Sequence, residues 1–326
     1  MIKTKKNHIM KNAILYGNGF NLLTPDSLSW NDLLNNISNK CNSTITNDIL
    51  PTLQYEQILL HPKARFDSLP NKNDGDETKV KKAIADTIRK TPSNTFYKLL
   101  LDMPVSYYLT TNYDHAIYNN DESLVSSKES TENVYSIYRW KRIVTSNKEF
   151  LLYNIHGDID KAPTIMMGFD QYVGYVARVQ NYVKGEYHKN GSSINIPQLI
   201  KRIKDDAIGL DANHYGIKDP QIGPFSWIDH FFFSNLHIIG LSLDFSEIDI
   251  WWLLLKRARL LKDRLIHNKI FYYPTCPPKE MDKYASLFNI MHSLNIDIIN
   301  YHVNRKDYKM IYKEQLDNMR DRMENI

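Results

Sequence analysis

Short runs of apolar, β-prone residues alternate along this chain with segments of helical spacing, and this alternation constrains the fold more than any other feature. The sequence predicts strands at about 13–16, 105–111, 134–145, 149–156, 164–168, 236–241, 268–273 and 296–303. It predicts helices at about 30–37, 78–90, 94–102, 246–265, 279–293 and 305–323, and polar loops at 62–77 and 119–133. Such alternation is typical of a parallel sheet covered by helices, so we expect an α/β, Rossmann-like, doubly wound parallel sheet.

The segment 170–235 interrupts this alternation. Helical patterns at 169–183 and 197–210 are separated there by Gly, Asn and Pro breaks. We interpret the segment as a helical insert or lid within one domain that spans 1–326. Its tyrosines would suit a lid or an assembly surface, but core packing is the favoured interpretation of any one of them; they are Tyr172, Tyr175 and Tyr182.

Composition excludes several classes of protein. Hydrophobic residues make up 42% of the 326 residues and charged residues 24%, as in ordinary globular proteins. The net charge of +4 is too small to indicate a nucleic-acid partner. The two cysteines, Cys41 and Cys276, lie far apart and outside any CxxC pair, so neither a disulfide scaffold nor a zinc module is expected. A signal core and an apolar run of about 18 residues are both lacking, which favours a cytoplasmic protein without membrane contact.

The first candidate motif is Gly17-Asn18-Gly19-Phe20-Asn21, which directly follows the first strand. Gly17 and Gly19 allow the backbone to approach a phosphate group closely. The third glycine of the dinucleotide fingerprint is replaced by Leu22. A strand–helix turn without a ligand is therefore an equally good interpretation of this motif alone.

The second motif, Thr110-Thr111-Asn112-Tyr113-Asp114, lies at the end of a middle strand. Ligands of open α/β sheets bind outside the carboxyl ends of strands. Asn112 could hydrogen-bond ribose hydroxyls or hold a water, and Asp114 could accept a hydrogen bond from a carboxamide. The alternative is an Asn/Asp turn or helix cap.

The third motif is His156-Gly157-Asp158, which again follows a strand. A histidine near its ordinary pKa takes or gives a proton at neutral pH, and the glycine would let a substrate come close. A structural histidine is the alternative. Its position at a strand end favours a functional role.

The fourth motif is Gly240-Leu241-Ser242-Leu243, in which a strand runs into Gly-x-Ser. The backbone N–H groups of this motif and the hydroxyl of Ser242 are suited to binding a phosphate or a ribose. We interpret Ser246 and Asp249, which follow, as a capping box with Asp in place of Glu at the start of the next helix.

The order of the four motifs resembles that of the sirtuin family, whose pattern is GAG, TQNxD, HG and GTS, against GNGFN, TTNYD, IHGD and GLSL here. Trp30-x-x-Leu33-Leu34 and the Gly240-x-Ser242 to Asp249 spacing look like the SIR-like NADases of bacterial phage defence. The resemblance covers 13 to about 255 and leaves the insert unexplained. AbiH-type abortive-infection proteins have a similar GNGF opening and a late Gly-x-Ser-Leu.

The resemblance implies NAD+ as substrate and Asn112 and His156 as the catalytic pair. Asn112 would hold the nicotinamide ribose and the attacking water, and His156 would act as general base. The implied binding residues are Gly17, Asn18, Gly19 and Asn21 at the pyrophosphate, Thr111 and Asp114 on the nicotinamide side, and Gly240 and Ser242 on the adenosine side.

The implied function is an NAD+ glycohydrolase that depletes NAD as an abortive-infection effector. Family deacylases carry a four-cysteine zinc module, and the lack of cysteine between 42 and 275 argues against deacylation. The resemblance also implies control by homo-oligomerisation or by a partner such as a HerA-like ATPase. A nucleotide-binding sensor without catalysis remains an alternative. So does a nuclease subunit, although the sequence offers no convincing carboxylate cluster for a metal.

Overall fold

The computed structural model describes residues 12–325 except 26, 71–72, 120–123, 127–134, 146–147, 188–225, 277–281 and 302–306, and it describes only the backbone of 124–126. Eight strands form one sheet in these ranges: β1 (Asn12–Tyr16), β2 (Tyr107–Thr110), β3 (Leu124–Ser126), β4 (Trp140–Val144), β5 (Glu149–Asn154), β6 (Asn235–Ile239), β7 (Ile270–Tyr273) and β8 (Asp297–Ile298). Their order is β3-β4-β5-β2-β1-β6-β7-β8.

Six neighbouring strands are parallel to one another, namely β5, β2, β1, β6, β7 and β8, so the Rossmann-like sheet is confirmed. The edge formed by β3 and β4 is antiparallel and was not expected. Because β4 and β5 are joined by a short hairpin, they pair without the crossover helix that parallel strands need.

Strand β1 lies at the centre, where the strand order reverses. Tyr16, its last residue, pairs with Thr110 of β2 and with Ile239 of β6, and Thr110 pairs with Asn154 of β5. The four predicted motifs therefore follow four adjacent strands and lie along one edge of the sheet. Ligands of open α/β sheets bind at such a switch point.

Nine α-helices surround the sheet in the described ranges: α1 (Trp30–Lys40), α2 (Pro51–Leu60), α3 (Asp76–Ile88), α4 (Thr95–Leu101), α5 (Phe169–Lys184), α6 (His230–Phe233), α7 (Ile248–Lys262), α8 (Ala285–Ser293) and α9 (Tyr308–Glu324). Ser29 caps α1 in a capping box with Asp32. Only α2 and the one-turn α6 lie outside the helices that the sequence predicted.

Both faces of the sheet are covered, as a doubly wound fold requires. Ala13 and Leu15 belong to one apolar cluster, which includes side chains of α5, α7 and α8. Ile14 and Tyr16 belong to a second cluster, with side chains of α4 and α9. Alternate residues of a strand point to opposite faces, so β1 contributes to both cores. A third cluster joins α1, α2 and α3.

Three local predictions were wrong. Residues 164–168 form no strand: a 3-10 turn at Ala162–Thr164 leads into irregular chain. The strand predicted over 134–145 is confined to β4, and β3 lies inside the predicted loop 119–133. These segments border the third motif and the antiparallel edge, where tertiary contacts decide the conformation rather than local propensity.

The first helix of the predicted insert, α5, is part of the main core. Tyr172, Tyr175 and Tyr182 are all buried there, which confirms core packing for the three. The helix predicted at 197–210 lies outside the described residues. Of the helices that the structure describes, none combines the length and the apolar composition needed to cross a bilayer.

Candidate active site

A cleft of about 970 Å³ opens at the carboxyl edge of the sheet, above β1 and β6. Its volume is at the upper end of the range for small-molecule and cofactor sites. Six of the predicted site residues line it: Asn18, Gly19, Thr111, His156, Gly240 and Ser242. The other four, Gly17, Asn21, Asn112 and Asp114, are not among its lining residues.

The glycines of the first and fourth motifs pack against each other. The Gly19 N–H donates to the Gly240 carbonyl at 2.9 Å. A Cβ atom on Gly17 or on Gly19 would lie 2.8 Å from that same oxygen, and Gly240 itself has a φ of +65°. Residues Asn18–Leu23 form a 3-10 helix rather than the start of an α-helix. Close contact between two loops therefore already accounts for the small residues here.

Asn21 and Asp114 join the first two motifs beneath the cleft. The Asn21 Nδ2 donates to Asp114 Oδ2 at 2.8 Å, and Asn21 Oδ1 accepts from the Tyr97 hydroxyl at 2.6 Å. Burial raises the pKa of Asp114, although hydrogen bonds from the Ala116 N–H and Asn21 oppose the rise. Both side chains are thus engaged within the protein.

Asn112 differs from these two, because no described residue forms a well-directed hydrogen bond with its side chain, although the Tyr97 hydroxyl lies near it. It is 2% exposed, and neither its Oδ1 nor its Nδ2 hydrogen-bonds any described residue. Its backbone is held firmly: the N–H donates to Thr110 Oγ1 at 3.0 Å, and the carbonyl accepts from Asn154 Nδ2 at 3.2 Å. A buried amide without partners costs free energy of about 1–3 kcal/mol, which is typical of residues kept for function.

His156 is held between groups from two helices. Its Nε2 lies 2.9 Å from Asp249 Oδ2 in the first turn of α7. A carboxylate only accepts hydrogen bonds, so Nε2 carries the proton and Nδ1 is left as the acceptor. The Tyr172 hydroxyl of α5 lies 3.3 Å from Nδ1, and Glu247 Oε2 lies 3.6 Å from it. This arrangement suits a general base.

The carboxylates set the basicity of His156. Burial alone would lower the pKa of the imidazole, but the negative charges of Asp249 and Glu247 outweigh it, and the pKa is raised above its ordinary value. Burial raises the pKa of Glu247 to about 7, against the opposing effect of His156. The two groups therefore influence each other: Glu247 raises the pKa of His156, and His156 lowers that of Glu247.

The capping-box interpretation of Ser246 and Asp249 was wrong. Helix α7 begins at Ile248 with Glu247 as its N-cap, and no side chain caps it. The Asp249 side chain is fully buried and bonds His156 instead. The sequence motifs did not predict Asp249, Glu247 and Tyr172 as site residues. The signal that could have found Asp249 was its fixed spacing from Gly240.

Gly157 separates two side-chain clusters. Its φ is +123°, and a Cβ atom there would collide with the backbone of Thr164 and Ile165, so only glycine fits. The preceding His156 faces the cleft. The following Asp158 instead contacts Lys141 Nζ at 2.7 Å and His115 Nε2 at 3.1 Å. Burial would raise the pKa of Asp158, but these partners lower it to about 2.

Two triads bring ligand-type atoms within 4.8 Å of one another: His115, Asp158 and Asp160, and His156, Glu247 and Asp249. Lys141 Nζ already lies within 3.1 Å of all three members of the first triad. This cation takes the place of a metal ion there. In the second triad, Nε2 is bonded to Asp249, and Nδ1 lies 3.3 Å from the Tyr172 hydroxyl. Glu247 Oε2 and Asp249 Oδ1 have no hydrogen-bond partner among the described residues, so these two oxygens could still act as metal ligands.

The cleft, the unpartnered Asn112 and the His156–Asp249 pair invite comparison with known proteins. No protein-family model matches the chain. NAD(+) hydrolase ThsA of Bacillus cereus (strain MSX-D12) is 23% identical over 179 residues, which are 53% of this chain and 34% of that protein. NAD(+) hydrolase ThsA of Enterococcus faecium is 24% identical over 166 residues, 50% of this chain and 31% of that protein. The chain is distantly similar to NAD+ hydrolases. It spans about a third of the length of these curated relatives.

Proposed function

We propose that this protein hydrolyses the bond between nicotinamide and ribose in NAD+. The observation that carries the proposal is the geometry of His156, which lines the cleft with Nε2 bonded to Asp249 and with Nδ1 left as a proton acceptor. The similarity to NAD(+) hydrolases supports NAD+ as the substrate. The cleft volume of about 970 Å³ is suited to a dinucleotide.

The reaction needs one water and one base. The bond between C1′ of the ribose and the pyridinium nitrogen breaks, and its electron pair stays on nicotinamide. The water oxygen bonds C1′, and Nδ1 of His156 takes the proton that the water loses. The products are nicotinamide, ADP-ribose and a proton released from His156 to solvent. Holding the reactants in a closed site and stabilising the charge at C1′ supply most of the acceleration.

In this proposal, Asn112 holds the ribose or the water. Its buried amide has both donors and acceptor unused by the described residues, so a ligand could satisfy them. Asn112 does not line the cleft, whereas the adjacent Thr111 does, so contact with a ligand would require a local movement. The loops that carry Gly19 and Gly240 would then lie along the pyrophosphate, as their place at the switch point favours.

The test is cleavage of etheno-NAD by the purified chain, beside His156→Ala and Asn112→Ala. We expect the wild type to be active and each variant to lose at least about 100-fold in kcat. His267→Ala is the matched control, since His267 is exposed and belongs to none of the four motifs. Near-wild-type activity of His156→Ala would refute the mechanism. An assay in EDTA separates this chemistry from metal-dependent hydrolysis at the second triad.

We further propose that the activity depletes cellular NAD as an abortive-infection effector in phage defence. This rests on the resemblance to SIR-like defence NADases. Expression in bacteria should lower NAD and arrest growth, and His156→Ala should do neither. Control by oligomerisation or by an ATPase partner stays a prediction. Size-exclusion chromatography with light scattering would test the first.

A further inference from the structure

Among the residues that the structure describes, Glu247 has the carboxylate that both lines the cleft and lies beside His156. It is the N-cap residue of α7, and its backbone is fixed by the Trp251 N–H, which donates to its carbonyl at 3.0 Å. Its Oε2 lies 3.6 Å from Nδ1 of His156, the nitrogen that we assign as the base. This oxygen is buried and has no hydrogen-bond partner among the described residues.

A buried carboxylate oxygen without a donor is costly, so a ligand that brings a donor or a positive charge would be favoured there. Burial and the nearby Asp249 and Asp244 all raise the pKa of Glu247, and only His156 lowers it. The nicotinamide riboside end of NAD+ supplies what is lacking. It has ribose hydroxyl donors and a pyridinium charge, which passes to C1′ as the bond breaks.

The neighbouring carboxylates fit this role less well. Asp249 is fully buried, is bonded to His156 and does not line the cleft. Asp244 lines the cleft but is exposed, and one of its oxygens accepts the Ser246 N–H at 2.8 Å. Water screens an exposed charge strongly, so Asp244 would stabilise a nearby cation much less than Glu247.

We propose that Glu247 is a catalytic residue that accepts a hydrogen bond from a hydroxyl of the nicotinamide ribose and stabilises the positive charge that develops at C1′. It takes no proton from the water and forms no covalent bond in this step. The proton goes to Nδ1 of His156, and the electron pair leaves on nicotinamide. The inference rests on the proposed NAD+ hydrolysis and adds a third group to its chemistry.

The experiment compares wild type, Glu247→Gln and Glu247→Asp on NAD+ and on two analogues that lack the 2′- or the 3′-hydroxyl of the nicotinamide ribose. Glu186→Gln is the control, because it makes the same chemical change on an exposed residue of the α5 end. Glu247→Gln removes the charge at constant shape. We expect kcat on NAD+ to fall about 100-fold, as when one preorganised charge is removed from a transition state.

The analogues distinguish contact with the substrate from a structural effect. If Glu247 bonds a ribose hydroxyl, the effects on kcat of removing that hydroxyl and of Glu247→Gln are not independent. The fold-loss in kcat with both changes together should then be about tenfold smaller than the two single fold-losses multiplied together. Independent effects with both analogues, or a kcat for Glu247→Gln within about twofold of wild type, would overturn the inference. A wild type that neither binds nor cleaves NAD+ would instead refute the proposed function itself.

Discussion

Nε2 of His156 lies 2.9 Å from Oδ2 of Asp249, although 93 residues separate the two along the chain. His156 follows β5, and Asp249 lies in the first turn of the helix after β6. The contact spans β2 and β1, the two strands between them in the sheet. It fixes the imidazole tautomer, and it directs Nδ1 towards Tyr172 and Glu247.

Replacement of Asp249 by Asn should weaken His156 as a base. The carboxylate raises the pKa of His156, so its loss lowers that pKa. Activity rises with pH as the base becomes neutral, and we expect this rise to move to lower pH while the maximal kcat falls at least about 100-fold. The measurement is kcat between pH 5 and pH 9. Asp263→Asn, at the exposed end of the same helix, is the control. A rise at unchanged pH would contradict the role of Asp249.

Replacement of Glu247 by Gln should flatten the dependence of stability on pH. The folded-state pKa of Glu247 is raised to about 7, so its favourable contribution is complete below its ordinary pKa and is lost as pH rises through about 7. His156, whose pKa is also raised, acts in the same direction. Urea unfolding at pH 5 and pH 8 should give a variant that loses less stability over this interval. Between pH 5 and pH 8, we expect the variant to lose less free energy of unfolding than the wild type, by on the order of 1–2 kcal/mol. The figure is modest because the Glu247 side chain is partly exposed. A larger loss in the variant would contradict the assigned shift.

Gly19→Ala should destabilise the protein through the contact between the first and fourth motifs. The added Cβ would lie 2.8 Å from the Gly240 carbonyl oxygen and would collide with the Tyr312 hydroxyl. We expect a loss of about 1–3 kcal/mol in the free energy of unfolding, and a lower melting temperature. Gly75→Ala is the matched control, since no atom of the described residues lies within 4 Å of its added methyl group. Equal melting temperatures for the two variants would show that the loops do not pack as described.

Lys141→Met should leave Asp158 as a buried charge with only His115 as a side-chain ion-pair partner among the described residues. Lys141 Nζ lies 2.7 Å from Asp158 Oδ2, and both side chains are nearly inaccessible to solvent. Loss of one partner of such a pair costs about 3–5 kcal/mol. The pKa of Asp158, which is lowered to about 2 in the wild type, should rise in the variant. The variant should therefore lose less free energy of unfolding than the wild type as pH falls from about 4 to 2. The double variant Lys141→Met/Asp158→Asn should recover part of the loss at pH 7. Without such recovery, the pair would not be coupled.

Most strands and helices were predictable because their patterns are local. The Gly17 and Gly240 motifs, the Asn112 motif and His156 were each found at a strand end, where the fold places them. Predictions from local patterns were wrong where the same spacing of residues is compatible with two different structural roles. Ser246 to Asp249 has the spacing of a capping box, but Asp249 satisfies a distant histidine rather than the helix end.

Local sequence patterns were sufficient to predict the alternation of strands and helices, the α/β class with a mostly parallel sheet, and four polar motifs at strand ends. These depend on periodic burial and on turn chemistry, which act over a few residues. The strand order could be established only from the three-dimensional fold. The same holds for the contact of Gly19 with Gly240 and for the assembly of His156 with Asp249, Glu247 and Tyr172. The physical reason is that these contacts join segments far apart in the chain, and their geometry is set by which strands become neighbours and by the burial of their charges together.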